Sequence, residues 1–337
     1  MVHINRIKKL GWIGILMLAI IATACGANGE QTQSAQSEQS EQNKASGNVD
    51  KRIVQIGYLP ITHAAPLYIE EELGKAGYDQ FELKLVKFGS WPDLMDALNT
   101  GKIDGASVLV ELAMKAKEQG VDLKAVALGH KDGNVIVVEP GINSVQDLKG
   151  KPFAIPHRFS THNILLYLML KEAGLQYTDV EAIQLPPAEM PAALAEGRIA
   201  GYVVAEPFGA KSVVINKGKV LFQSEELWPE SVDCALVLRG EFINKEREIA
   251  QALVTQYVAA GKLAEQKDTD AKTILKQYMA IDDQVLDLSL QWIKYDELRL
   301  DEQSYEKLRE YAIEMELSEQ PPTFEEFVDN SLIDEAL

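Results

Sequence analysis

The sequence has few cysteines, no local metal-binding motif and no apolar run long enough to span a bilayer comfortably. Its 337 residues include two cysteines, Cys25 and Cys234, and Cys234 lies in the apolar segment 232–238. With no partner in the body of the chain it cannot form an intrachain disulfide, and such a thiol is most often a small core residue. No His-x-x-x-His or Cys-x-x-Cys spacing occurs, so no metal ligands are assigned. The apolar run 10–22 is too short to span a bilayer comfortably.

Basic residues are also scarce. The chain has 33 Lys and Arg against 51 Asp and Glu, a formal net charge of −18. This balance argues against nucleic acid and anionic membrane surfaces as partners. It leaves a small anion possible, because local dipoles and hydrogen bonds decide what a buried site holds.

The first 50 residues have the features of an export signal followed by a tether. Basic residues at 6, 8 and 9 precede the apolar run, which predicts a signal peptide over residues 1–24. Small residues then lead into Cys25 in a segment, A-T-A-C-G, that resembles a bacterial lipobox. That resemblance implies a lipidated Cys25, with palmitate, at the extracytoplasmic face of the cell membrane; ordinary cleavage nearby is the alternative. Residues 25–50 are too polar to fold and predict a disordered tether.

The body from residue 51 alternates strand-like and helix-like patterns. Residues 52–59, 81–88 and 103–109 read as strands, each followed by a helical pattern. This order predicts a parallel α/β sheet with helices on both faces, and ligands of such sheets gather at the carboxyl ends of the strands. The last part, from residue 244, is nearly all helical in pattern and has no catalytic constellation.

A polar helix start stands out at residues 157–174. Ser160 or Thr161 suits the N-cap and Gly174 the C-cap, and two histidines lie at this start. Free N–H groups and a positive dipole end make it a seat for an anionic or polar ligand. The alternative is that His157 and His162 only cap or decorate the helix.

Six segments in order carry a family resemblance: G-Y-L-P-I-T-H-A-A-P-L at 57–67, S-W-P-D-L-M-D-A-L-N-T-G-K-I-D-G-A at 90–106, S-T-H-N-I-L-L at 160–166, L-P-P-A-E-M-P-A-A-L at 185–194, G-Y-V-V-A-E-P-F at 201–208 and E-L-W-P-E at 226–230. They resemble the type II periplasmic solute-binding proteins of ABC importers, in the nitrate, bicarbonate, sulfonate and taurine branch related to the thiamine-pyrimidine binders. The resemblance implies two α/β lobes with a ligand cleft between them and a helical C-terminal tail. It places lobe 1 at 51–138 plus 238–337 and lobe 2 at 139–237, with chain crossings near 138–141 and 237–241.

The same resemblance implies a function without chemistry. A monomer would capture a small solute, with a nitrate-, sulfonate- or taurine-type anion favoured, close by hinge motion, and deliver it to a permease and ATPase without a cofactor. The alternatives are a pyrimidine-like heterocycle or a metal ion such as zinc as the solute, a pyrimidine-synthase-like enzyme with a reactive histidine, and a surface lipoprotein with no transporter.

The matching segments also suggest the ligand-binding residues, taken from both lobes: Thr62, His63, Ser90, Trp91, Thr161, His162 and Glu206, followed by His130 and Asn134 just before the first crossing. Trp91 could instead be core, and Glu206 could support a helix start. All four histidines of the body fall near the expected cleft, so any metal site would have to be assembled across the lobes.

Overall fold

A computed structural model describes residues 51–337. The predicted signal peptide, the lipidated Cys25 and the tether therefore lie outside the described residues. Within the described part of the chain no helix is long and apolar enough to cross a membrane.

The first sheet has five strands in the order β2-β1-β3-β11-β4. The chain forms twelve strands in all within residues 51–337: β1 Arg52–Tyr58, β2 Phe81–Lys87, β3 Gly105–Leu109, β4 Leu123–Leu128, β5 Lys131–Asp132, β6 Asn134–Val138, β7 Pro152–Ile155, β8 Glu181–Gln184, β9 Gly201–Ala205, β10 Lys219–Gln223, β11 Cys234–Arg239 and β12 Ile293–Lys294. Strand β1 pairs in parallel with β2 and β3, whereas β11 runs antiparallel to both β3 and β4. The central strands of the first sheet, β3 and β11, are buried apolar segments, as expected for a sheet covered on both faces.

The second sheet also has five strands, in the order β10-β6-β9-β7-β8. Strand β7 is parallel to β8 and β9, while β6 is antiparallel to β9 and β10. A short antiparallel pair, β5 with β12, lies apart from both sheets.

Helices cover the sheets and form the C-terminal tail: α1 Ala65–Gly74, α2 Trp91–Asn99, α3 Val110–Glu118, α4 Thr161–Glu172, α5 Met190–Ala195, α6 Phe208–Val214, α7 Ser224–Leu227, α8 Gly240–Lys245, α9 Arg247–Gln266, α10 Thr269–Met279, α11 Asp283–Gln291, α12 Glu302–Glu314, α13 Phe324–Phe327 and α14 Ser331–Asp334. Short 3-10 helices occur at Thr62–Ala64, Val145–Leu148, Tyr177–Asp179 and Pro187–Glu189. The predicted caps are present: the side chains of Ser90 and Ser160 accept hydrogen bonds from the third residues of α2 and α4.

The tail contacts both halves of the molecule. Helices α9 and α10 pack on α1, and α13 and α14 pack on β4, whereas α11 packs on α6 beside the second sheet. Helix α12 reaches α4 through Glu314, which accepts hydrogen bonds from Tyr167 at 2.8 Å and Lys171 at 2.5 Å. The tail therefore bridges the two sheet layers.

Two sequence predictions need correction here. Both sheets are mixed rather than parallel, because the first strand after each change of sheet, β6 and then β11, runs antiparallel to its neighbours. For the same reason the changes of sheet fall at 129–133 and 224–233, not near 138–141 and 237–241: β6 already belongs to the second sheet and β11 to the first. An apolar strand after a turn shows no sign of which sheet it joins, so the sequence could not place these points.

Candidate functional site

Four polar side chains meet between the two sheets and define the site, which we call the histidine–aspartate cluster: His63, His130, His162 and Asp233. Each is at most 3% exposed. Three of them come from the first sheet, since His63 lies in the 3-10 helix after β1, His130 follows β4 and Asp233 precedes β11. His162 comes from the other layer, in the first turn of α4.

The strand directions explain this meeting. Parallel strands end at one edge of a sheet, which brings the residues after β1 and β4 together. Strand β11 runs the opposite way, so its first residue pairs with the last residue of β3: Cys234 lies opposite Leu109. The residue just before β11 is Asp233, and it is therefore delivered to the same edge.

The three histidines surround one carboxylate. The Nδ1 atom of His63 is 3.0 Å from Oδ2 of Asp233, and Nε2 of His130 is 3.4 Å from the same oxygen. Nδ1 of His162 is 3.7 Å from the other oxygen, Oδ1. The rings of His63 and His130 stack with centroids 3.5 Å apart.

Backbone carbonyls fix the tautomers of two of these rings. Nε2 of His63 lies 3.2 Å from the carbonyl oxygen of Gly133, and Nδ1 of His130 lies 2.7 Å from that of Asp132. A carbonyl oxygen only accepts, so these ring nitrogens carry hydrogen. In the neutral rings the opposite nitrogens are then bare, and both face the carboxylate of Asp233. Holding a histidine through its outer nitrogen in this way is the usual arrangement around a bound metal.

Burial sets the charge of the cluster. Burial, reinforced by repulsion from His130, lowers the pKa of His63 to about 4, and burial also lowers the pKa of His162. Burial alone would raise the pKa of Asp233, but the neighbouring histidines outweigh it and hold that pKa well below its ordinary value. The lowered pKa values of His63 and His162 favour neutral rings that can bind a cation, and the lowered pKa of Asp233 favours the ionised carboxylate.

The ring nitrogens and carboxylate oxygens at the centre of the cluster have no hydrogen-bond partners in the described part of the chain. No hydrogen bond within residues 51–337 satisfies Nδ1 of His63, Nε2 of His130, either ring nitrogen of His162 or either oxygen of Asp233. No lysine or arginine in this range forms an ion pair with Asp233. A buried hydrogen-bond acceptor without a partner destabilises the folded protein. Several such acceptors that face one another require a cation or a proton between them.

Thr161 ties the two layers together beside the cluster. Its Oγ1 lies 2.5 Å from Oε1 of Glu111, at the start of α3, and 2.6 Å from the carbonyl oxygen of Val232. The hydroxyl has a single hydrogen to donate, so with that hydrogen on the Val232 carbonyl the second contact requires a hydrogen on Glu111. Burial and the charge of Asp233 raise the pKa of Glu111 well above its ordinary value, which agrees with a neutral carboxyl.

Glu206 connects three parts of the chain. Its carbonyl oxygen accepts hydrogen bonds from N and Oγ1 of Thr62 at 2.8 and 2.9 Å. Its buried side chain accepts from the Ala210 amide at 3.0 Å and lies 3.1 Å from the hydroxyl of Ser289 in the tail. Burial raises the pKa of Glu206 to about 8. The structure thus places Glu206 at a junction beside the cluster, in contact with Thr62 rather than with the histidines.

Other predicted ligand-binding residues lie elsewhere. Ser90 caps α2 and donates to Asp93 at 2.8 Å, and Trp91 is packed in the main hydrophobic core. Asn134 is buried in β6, where it pairs with Ala205. The ring of His157 is half-buried and accepts a hydrogen bond from the Phe159 amide, outside the cluster.

Sequence reasoning missed Asp233 and Glu111. Each stands at the edge of an apolar segment, Asp233 immediately before the strand 234–239 and Glu111 after 106–110. No local pattern in the sequence indicates Asp233, because the antiparallel pairing of Cys234 with Leu109 that brings it to the site exists only in the folded sheet.

The sequence pattern of the NMT1-like family matches residues 47–277. The chain belongs to the NMT1-like family. This result confirms the resemblance inferred from the six segments. Among solved structures, this NMT1-like protein is similar to a zinc-bound ligand-binding component of an ABC-type import system from Staphylococcus aureus. The two are 41% identical, with a TM-score of 0.81, over 85% of this chain and 99% of the other.

Two further solved structures share the fold at lower identity. The nitrate-binding protein NrtA of Synechocystis is 19% identical with a TM-score of 0.75, over 85% of this chain and 88% of NrtA. The aliphatic sulphonate-binding protein SsuA of Escherichia coli is 21% identical with a TM-score of 0.67, over 82% and 91%. The three structures named are binding proteins, and the type II periplasmic-binding-protein fold with two α/β lobes is confirmed.

Curated relatives match over shorter spans. The nitrate import ATP-binding protein NrtC of Synechocystis is 28% identical over 236 residues, 63% of this NMT1-like chain and 35% of NrtC. A sulfonates-binding protein of Escherichia coli is 29% identical over 178 residues, 52% of this chain and 56% of the relative. The matched regions thus span roughly a third to a half of these relatives.

Proposed function

We propose that this protein is the solute-binding component of an ABC importer and that its solute is a divalent metal cation of the zinc class. One observation carries the proposal: bare nitrogens of His63 and His130 and the carboxylate of Asp233 converge without partners in a fully buried place. Imidazole nitrogen and carboxylate oxygen are zinc ligands, and His162 is available from the other lobe as a further donor. The metal is cargo, and the site performs no chemistry on it.

The cluster argues against the anionic solute that the sequence favoured. An oxyanion needs hydrogen-bond donors and positive charge, whereas this cluster contains a carboxylate, and His63 and His130 direct their N–H groups away from it, to backbone carbonyls. The N–H groups at the start of α4 are partly used, since Ser160 Oγ accepts from the Asn163 amide. An anion placed against Asp233 would be repelled rather than neutralised.

The Staphylococcus aureus relative supports the same cargo. Its crystal structure has zinc bound, and its sequence is 41% identical to this chain. The nitrate- and sulfonate-binding neighbours share the fold at 19% to 21% identity, a level that indicates the fold alone.

A thermal-shift comparison tests the choice of solute. The metal-free protein is heated alone and with zinc, nitrate, taurine or an alkanesulfonate at equal concentrations. Zinc is expected to raise the melting temperature and the anions to leave it unchanged, because a ligand that binds the folded protein more tightly stabilises it more. A shift with an anion and none with zinc would overturn the proposed cargo.

The proposal extends to the setting of the protein. A lipid on Cys25 would hold the monomer at the extracytoplasmic face, and the closed, loaded form would be passed to a permease and its ATPase. Labelling cells with a clickable palmitate analogue is expected to mark the wild-type protein and not Cys25→Ser. Equal labelling of both proteins would contradict the anchor.

A further inference from the structure

Cys234, the one cysteine in residues 51–337, lies beside the histidine–aspartate cluster. The sulfur of Cys234 and one donor atom each of His63, His130 and Asp233 lie within 4.8 Å of one another, and all four residues are buried. The thiol forms no disulfide. A cysteine in an ordinary core position is surrounded by apolar side chains, whereas this sulfur is beside unpartnered nitrogen and oxygen atoms that point to a ligand.

The backbone holds Cys234 at this place. Its carbonyl oxygen accepts a hydrogen bond of 2.8 Å from the amide of Gly129, the residue before His130. A Cβ atom at Gly129 would lie 2.7 Å from the carbonyl oxygen of His63 and 3.5 Å from Cβ of Cys234. The lack of a side chain at residue 129 therefore lets the segments that carry His63, His130 and Cys234 approach one another.

We infer that Cys234 is a thiolate ligand of the cargo ion and that it directs the site to ions that bind sulfur and nitrogen. This inference rests on the proposed function and adds the ion class: zinc, cobalt, nickel or copper rather than magnesium, calcium or manganese. On binding, the S–H bond breaks, the sulfur electron pair forms the metal–sulfur bond, and the proton leaves to the solvent. No oxidant or reductant takes part.

The donor count supports this assignment. Ligand atoms of a tetrahedral zinc site lie roughly 3.3–3.8 Å apart, given bonds of about 2.0–2.3 Å. The four atoms lie within 4.8 Å of one another, so each pair needs to approach by about 1.5 Å at most to reach that spacing. Because His63, His130, Asp233 and Cys234 all adjoin the first sheet, one lobe supplies four donors before His162 is added from the other.

Cobalt spectroscopy tests the sulfur ligand directly. Co²⁺ bound by a thiolate has an intense near-ultraviolet charge-transfer band, which imidazole and carboxylate ligands do not produce. The experiment uses the Cys25→Ser protein, in which Cys234 is the only thiol, and the matched variant that also carries Cys234→Ser. We expect the band in the first protein and its loss in the second, with visible cobalt bands in both.

The possible failures are distinguishable. If Co²⁺ binds with visible bands and the charge-transfer band is missing, Cys234 is not a ligand and the proposed metal cargo stands. If neither Co²⁺ nor Zn²⁺ binds, the proposed function fails and the inference falls with it.

A selectivity measurement keeps the inference testable should the cobalt complex prove unstable. When zinc competes with manganese, both the Cys25→Ser protein and its Cys234→Ser variant are expected to bind zinc more tightly. The ratio of zinc affinity to manganese affinity should be about tenfold or more lower in the Cys234→Ser variant. Zinc binding should also release about one proton more from the protein with Cys234, measured by calorimetry in buffers of different ionisation enthalpy. Equal ratios and equal proton counts would overturn the inference.

Discussion

Asp233 sets the electrostatics of the cluster at the scale of single residues. It supplies the one ionised group to which three imidazoles turn, and its two oxygens have no hydrogen bond within residues 51–337. An unpaired buried charge strongly destabilises the folded protein, so a carboxylate in these surroundings needs a bound cation to neutralise it.

Glu206 offers a pH test at the same scale. Its pKa is about 8 against an ordinary 4.5, so the folded protein holds a proton that the unfolded chain has lost between those values. Stability from this group is therefore full below about pH 4.5 and falls as pH rises through 8, by about 1.4 kcal/mol per pH unit. Glu206→Gln does not titrate, so it should gain stability relative to wild type as pH rises.

Urea unfolding of the metal-free wild type and Glu206→Gln from about pH 5 to pH 8 checks this expectation. Taking the difference between the proteins removes the opposing contribution of the histidines, which titrate in both. Parallel pH profiles would contradict the assigned burial of the Glu206 proton.

Sequence reasoning reached the histidines but not their centre. His63 follows a predicted strand, and His162 opens a predicted helix that is capped by Ser160, one of the two candidates for that position. His130 is also among the residues expected to bind the ligand. Asp233 depends on the pairing of Cys234 with Leu109 across two antiparallel strands that are far apart in sequence. Only the folded sheet creates that proximity, so no local pattern shows it.

At the scale of elements, the start of α4 joins the lobes. Ser160 caps the helix, Thr161 contacts Glu111 and the Val232 carbonyl, and His162 faces Asp233. One turn of helix thus fixes a donor relative to the segment that carries the carboxylate.

Thr161→Val removes both contacts at nearly constant volume. We expect zinc affinity to fall about tenfold, a typical effect of losing a group that positions metal ligands. Glu111→Gln should bind zinc nearly as wild type, since its amide can donate the hydrogen that the neutral carboxyl supplies now. Calorimetric titration compares the three proteins, and an equal loss in Glu111→Gln and Thr161→Val would contradict the hydrogen-bond direction.

For the whole molecule, the division of donors predicts how binding closes the cleft. His63, His130 and Asp233 adjoin the first sheet and His162 belongs to the second lobe. An ion held by the first group gains a contact on closure, so it favours the closed form. The tail contacts both layers, so we expect it to move with this closure.

His162→Ala separates binding from closure. Zinc should reduce the radius of gyration of the wild type in X-ray scattering and have little effect on this variant, while affinity falls far more than stability. His157→Ala is the matched control, because its ring lies outside the cluster. Full compaction of His162→Ala with wild-type affinity would refute the role given to this residue.

The most direct test of the cargo is the zinc content and affinity of wild type against Asp233→Asn. Metal analysis of dialysed protein and competition with a chelating dye would be compared, with the exposed Asp96→Asn as control. We predict one zinc per wild-type and Asp96→Asn molecule, and an affinity for Asp233→Asn lower by roughly 100-fold or more, as expected when a ligand itself is lost. Wild-type zinc binding by Asp233→Asn, or no zinc binding by the wild type, would contradict the account.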